Sequence, residues 1–218
     1  MNRRPRLLAT AAVGVTAALL LSACGGGDGK AKDNDKIAGA DTGSKTSASP
    51  SASASASSER PKTELPSDLT LAFEGSKTGD SVKDAVLADN VERMRAVDAA
   101  ITGTDPKGEA LGYYNTGKAL ESALTWVQQF KDADSSITGE VRYYDRKVTL
   151  KGKTSAFLTF CADESKGFSK DKKTHSVDKT PVTKNSYVFY NSRLDKNAEG
   201  VWQTSQIIAT RGAAACQP

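Results

Sequence analysis

The chain has 218 residues, with 30 lysines and arginines against 26 aspartates and glutamates, one histidine and three cysteines. Three arginines (Arg3, Arg4, Arg6) fall in a leading segment that reads as removable, which leaves 27 basic residues against 26 acidic ones, a net of +1. That balance excludes a strongly basic nucleic-acid binder, which needs a clustered cationic excess to neutralise phosphates. One imidazole and three thiols likewise exclude a His-rich metal site or a paired zinc ribbon.

The stretch from Met1 to Leu8 carries those three arginines and no acid, and Leu7 to Leu21 is an uncharged apolar run of 15 residues. At 1.5 Å per residue the run reaches about 22 Å, short of the ~30 Å hydrocarbon layer. It therefore reads as a signal peptide over 1–23 rather than a membrane span. Leu21-Ser22-Ala23-Cys24 resembles the bacterial lipobox. That resemblance implies a diacylglycerol thioether on Cys24, cleavage before it, acyl chains such as palmitate, and anchorage on the extracytoplasmic face of the cell membrane. Each buried acyl CH₂ contributes about 0.8 kcal/mol, so two chains hold firmly. Arg3-Arg4 is followed by Pro5 and Arg6, which leaves both general secretion and twin-arginine export open.

Residues 24–67 hold almost no large apolar side chain and include the Ser/Ala repeat from Ser47. Such a segment cannot bury enough surface to offset its ordering entropy, and it reads as a disordered tether. All six Phe, six Tyr and both Trp lie between Phe73 and Trp202, which places a single folded domain over 68–218. About 150 folded residues suit one domain, not the two hinged lobes of a nutrient receptor.

Within that domain Leu69 to Phe73 alternates with period two, as a short strand or extended lead-in does. Asp80 or Ser81 then caps a helix over about 80–102, with Val82, Val86, Met94, Val97 and Ile101 at helical spacing and Gly103 as the stop. Asp105-Pro106 is a second start signal, and Gly112 and Gly117 divide the segment up to about 132 into a short helix and a longer one over about 116–132. Beyond Asp134 the period becomes two. Strands are expected at 137–145, 147–151, 154–163, 186–194 and 201–210, with tight turns at Lys151-Gly152 and Asp195 to Gly200. Helices followed by such strands predict an α+β fold, with the N-terminal helices packed on a curved antiparallel sheet.

Several stretches carry a family resemblance: Thr78-Gly79-Asp80, Lys83 to Asp89, Arg142-Tyr143-Tyr144, Phe160 to Lys166 and Gly200 to Gln203. Through them the region 66–218 resembles lipoproteins of actinomycete-type bacteria with a nuclear transport factor 2-like ectodomain, a cone akin to the cystatin-like folds. The resemblance implies a pocket at the open end of the cone and no assigned activity.

With Cys24 lipidated, Cys161 and Cys216 remain, and an oxidising exterior favours a disulfide between them. For acid–base chemistry the candidates are Asp163 with Tyr143 or Tyr144. A general base needs a partly desolvated carboxylate within reach of its substrate, and strand alternation lets at most one of the two tyrosines face a pocket. Lys166 to Lys184, with six lysines and two aspartates, reads as a solvated loop. Trp126 and Trp202 read as core. No Gly-rich phosphate loop, nucleophile elbow or metalloprotease motif is present, and no cofactor or metal is expected. The expected role is a non-enzymatic binding or accessory module at the cell surface, its partner a cell-envelope protein, a wall polymer or a small apolar ligand. The alternative is a small-molecule enzyme working through acid–base chemistry in the cone. Oligomeric state is not legible.

Overall fold

A computed structural model describes residues 60–218. The signal peptide 1–23, the lipidation site Cys24 and the tether up to residue 59 lie outside the described residues. The first strand, β1 (Leu69–Phe73), leads into three helices, α1 (Ser81–Thr102), α2 (Glu109–Tyr114) and α3 (Gly117–Asp132). Five further strands come after them: β2 (Ser135–Lys151), β3 (Ser155–Asp171), the two-residue β4 (Val177–Asp178), β5 (Tyr187–Lys196) and β6 (Trp202–Arg211). The fold class is α+β, with helices on a curved, unclosed sheet ordered β1-β2-β3-β5-β6 and β4 pairing β3.

The sheet is mixed, where an antiparallel one was expected: β1 pairs β2 in parallel, Leu69 opposite Gly139 through Phe73 opposite Tyr143. The three helices lie between these strands in sequence and supply the long crossover that parallel neighbours need.

Helix α1 begins where capping chemistry puts it. The Asp80 carboxylate accepts the N–H groups of Val82 (2.9 Å) and Lys83 (3.2 Å), and Gly103 closes the helix with φ +90°. Helix α2 starts three residues beyond Pro106, because the Asp105 carboxylate reaches forward to the N–H groups of Glu109 and Ala110 (3.2 and 3.0 Å). The inner face of α1 packs on the sheet through Val86, Leu87 and Met94 against Leu158, Phe160, Val188, Leu194 and Trp202. Its C-terminal half meets α2 and α3 through Val97, Ile101, Leu111, Ala123 and Val127.

The two strands expected at 137–145 and 147–151 are one, interrupted by a bulge where the β2–β3 register shifts between Tyr144 and Lys147 and Asp145 takes φ +51°. An extra residue reverses which side chains face inward. Tyr143 faces the core before the bulge, and Arg146, Val148 and Leu150 turn toward it afterwards. The inward Arg146 donates to the Leu87 carbonyl (2.7 Å) and Asn90 Oδ1 (3.2 Å), and burial lowers its pKa to about 10.

Strand β3 also runs on to Asp171, so Lys166 to Asp171 is strand rather than loop. Near that end Gly139 stands opposite Gly167, next to a second register shift between Glu140 and Arg142. Gly139 has φ +97°, and a Cβ there would sit 2.1 Å from the Lys166 carbonyl oxygen. Only glycine lets the two strands approach and bend at this point.

Candidate functional site

A cavity of about 660 Å³ opens between α1, α3 and the inner face of the sheet. Its walls are largely apolar, with Met94, Val97 and Ile101 from α1, Phe130 from α3, and Val141 and Phe168 from β2 and β3. Trp126 stands at the cavity 46% exposed, edge-on to Phe130 with ring centroids 5.1 Å apart. It is therefore not core, whereas Trp202, 1% exposed, is.

The titratable side chains of the cavity lining are Arg93 and Asp98 from α1, Tyr143 from β2, Glu164 from β3, Tyr190 from β5 and Arg211 from β6. Glu164 and Arg211 satisfy each other at 2.7 Å. Arg93 is 5% exposed. Its Nε–H donates to Asn115 Oδ1 (2.7 Å) and its Nη1 meets the Met94 sulfur (3.2 Å). Burial lowers the Arg93 pKa against the opposing pull of Tyr190, Tyr143 and Asp98.

Asp98, 8% exposed, makes no side-chain hydrogen bond or ion pair among the described residues. Burial first, then the charge of Glu164, pushes its carboxyl up to about 7 against the pull of Arg93. Burial also raises the Tyr143 and Tyr190 hydroxyls, with Asp98 and Glu164 adding to the effect. The cavity thus holds a carboxyl group poised between acid and carboxylate near neutrality, beside two phenols that stay protonated. Such a set donates hydrogen bonds, and Asp98 also exchanges a proton.

Of the residues singled out in the sequence, Tyr143 lines the cavity, 4% exposed, its ring stacked on Phe73 at 4.7 Å. Asp163 and Tyr144 do not line it. Tyr143 pairs across the strands with Ala162, and Asp163 pairs with Arg142, so alternation puts Asp163 and Tyr143 on opposite faces. There Asp163 accepts from Ser165 N–H (3.0 Å) and Arg142 (3.4 Å). Burial alone would raise its pKa, but those bonds hold it below the ordinary value. Tyr144 carries Arg142 over its ring at 4.4 Å and donates its hydroxyl to the Cys216 carbonyl. Cys161 lies on this outer face, in a disulfide with Cys216 that holds the C-terminal turn against β3.

The Asp163–tyrosine pairing is thereby corrected: the inward carboxylate of that segment is its neighbour Glu164, and the poised one is Asp98. Sequence reasoning missed Arg93 and Asp98, although Asn90, Met94 and Asp98 recur at four-residue spacing on the buried face of α1. Polar residues inside an apolar stripe were the available signal. Among the described residues no group of three or more His, Cys, Asp or Glu could hold a metal ion.

Among solved structures the chain is similar to a ketosteroid isomerase-like protein from Erwinia carotovora atroseptica, at 17% identity over 62% of this chain and 98% of that one, with a TM-score of 0.39. A protein from Catenulispora acidiphila matches at 10% identity over 59% and 93%, with a TM-score of 0.41. The intermembrane space region of the chloroplast protein ARC6 matches at 9% identity over 62% and 98%, with a TM-score of 0.37. Similarities this low carry nothing about chemistry. No protein-family model matches the chain, and no curated protein matches it.

Proposed function

We propose that this chain is a lipid-anchored extracytoplasmic protein whose nuclear transport factor 2-like ectodomain binds a small, largely apolar ligand. The cavity carries the reading: about 660 Å³ of mostly apolar wall with a few convergent polar groups is the usual composition of a small-molecule site. The lipobox at Leu21 to Cys24 supports the anchor, and the tether gives the body reach from the membrane. The decisive experiment is titration of the full chain with the neutral fluorescent probe N-phenyl-1-naphthylamine. Saturable one-to-one binding is expected, and it is lost in Ile207→Trp, which fills the cavity from β6. Absent or non-saturable binding refutes the reading. Replacing Cys24→Ala is expected to move the protein out of the membrane fraction, and unchanged membrane retention refutes the anchor.

A second reading is favoured by one observation, the buried carboxyl of Asp98 pushed up to about 7 inside the cavity. This is the environment a general acid or base needs near neutral pH. Under that reading Asp98 carries a proton to or from a ligand, and Tyr143 donates to a developing oxyanion. A candidate substrate turned over by wild type but not by Asp98→Asn, with unchanged binding, would establish it.

A further inference from the structure

Two of the four charged groups in the cavity are accounted for, since Glu164 and Arg211 pair at 2.7 Å. The other two are not. Arg93 has one strong acceptor, Asn115 Oδ1, and one weak one, the Met94 thioether. No carboxylate lies within ion-pair distance of it among the described residues, and its Nη2 has no hydrogen-bond partner there. The Asp98 carboxyl has neither a hydrogen bond nor an ion pair among the described residues. The two sit five residues apart on α1, about 140° around the helix, so they cannot close on each other as residues four apart would. A guanidinium stays cationic at any ordinary pH, and an unpaired cation buried at this depth is costly.

One kind of head group answers both. A carboxylate has four lone-pair positions: two suit the fork of a guanidinium, and the others accept from a protonated carboxyl and a phenol. An amine would set a second cation beside Arg93. An alcohol offers one oxygen and no charge. A phosphate monoester would bring more than one negative charge to a single unpaired cation near Glu164.

We propose that the cavity takes an amphipathic carboxylic acid, its carboxylate received by Arg93 and hydrogen-bonded by Asp98 and Tyr143, its hydrocarbon body lying along the apolar wall toward Trp126. The proposal rests on the reading of the cavity as a ligand site. Binding is coupled to a proton. Two carboxyl groups sharing one small site cannot both ionise, so Asp98 takes up H⁺ from solvent as the ligand carboxylate enters. The groups facing Asp98 are Arg93 on its own helix, Tyr143 from β2, Glu164 from β3, Tyr190 from β5 and Arg211 from β6, with Ser122 and Trp126 from α3. Of these, the phenols are held protonated by burial and Glu164 is engaged by Arg211 at 2.7 Å, which leaves Asp98 as the carboxyl with no partner of its own among the described residues.

The test is calorimetric titration of the full chain with decanoic acid, 1-decanol and 1-decylamine, in two buffers of different ionisation enthalpy. The acid is expected to bind at least ~10-fold more tightly than the alcohol, a difference of about 1.4 kcal/mol, and the amine most weakly. Near neutral pH the acid takes up a fraction of a proton that grows as pH rises. Asp98→Asn abolishes that uptake and keeps the preference for the acid. Arg93→Gln loses the preference for the acid over the alcohol. Equal affinity for acid and alcohol overturns the proposal while the cavity reading stands. Failure of all three, together with the neutral probe, overturns the cavity reading itself. Should Arg93→Gln not fold, the proton count on wild type and Asp98→Asn decides alone: uptake that persists in Asp98→Asn refutes the proposal.

Discussion

Asp98 ties the cavity to the stability of the fold, and Asp98→Asn isolates the effect. In the folded chain its carboxyl is pushed from 3.8 to about 7, chiefly by burial. Between those values the folded protein holds a proton that the unfolded chain has released. Stability is therefore complete below the lower value and is lost as pH rises through the upper one. A gap of about three pH units at 1.36 kcal/mol each gives a total on the order of 4 kcal/mol, of which about 2 falls between roughly pH 5 and pH 7. With a urea slope of about 2 kcal/mol per molar, the wild-type midpoint drops by about 1 M across that interval. The asparagine variant is neutral throughout and does not show this component. Other carboxylates, such as Asp68 and Asp163, are shifted downward by their partners. They titrate in both proteins and cancel in the difference. The assay is urea unfolding of both proteins at several pH values, followed by tryptophan fluorescence. Midpoints that move in parallel would refute the assignment of a buried, unpaired acid at position 98.

Reducing the Cys161–Cys216 bond, which spans 55 residues, is expected to lower stability by about 4 kcal/mol on chain-entropy arithmetic. Denaturation with and without a phosphine reductant measures it, and an unchanged midpoint contradicts the bridge. Gly139→Ala drives a Cβ to 2.1 Å from the Lys166 carbonyl, and the expected loss is roughly 2–4 kcal/mol. A thermal melt within a degree of wild type would show that the strands do not bend there.

How far the sequence could be read depended on the range of the interaction. Helix α1 was legible because Asp80 and Gly103 act on their own neighbours, and the disulfide because only two thiols of the domain could meet. Strand faces were legible one strand at a time, so Tyr143 and Tyr144 separate as alternation requires. Whether Asp163 or Glu164 shares a face with Tyr143 depends on the register of β2 against β3, a long-range fact that no local pattern carries. The parallel placement of β1 is hidden in the same way. The lysines of 166–171 disguised a strand held by its pairing with 135–140. Asp98 looked like any polar residue on a helix until the cavity beside it was seen.

The ordered body starts earlier than a boundary at residue 68 implies. Arg60 forms an ion pair with Asp89, whose buried carboxylate also accepts the backbone N–H of Trp202 at 2.8 Å, and the Glu64 carbonyl accepts from the Thr104 hydroxyl at 2.6 Å. Expression of the ectodomain from residue 68 onward would strip a countercharge from Asp89. That loss is worth roughly 1.5–3 kcal/mol for a charged hydrogen bond, toward the lower end because Arg60 is half-exposed. The last stretch before the globule thus doubles as a clasp fastening the outset of the final strand, and fragments for crystallisation should begin upstream of Arg60.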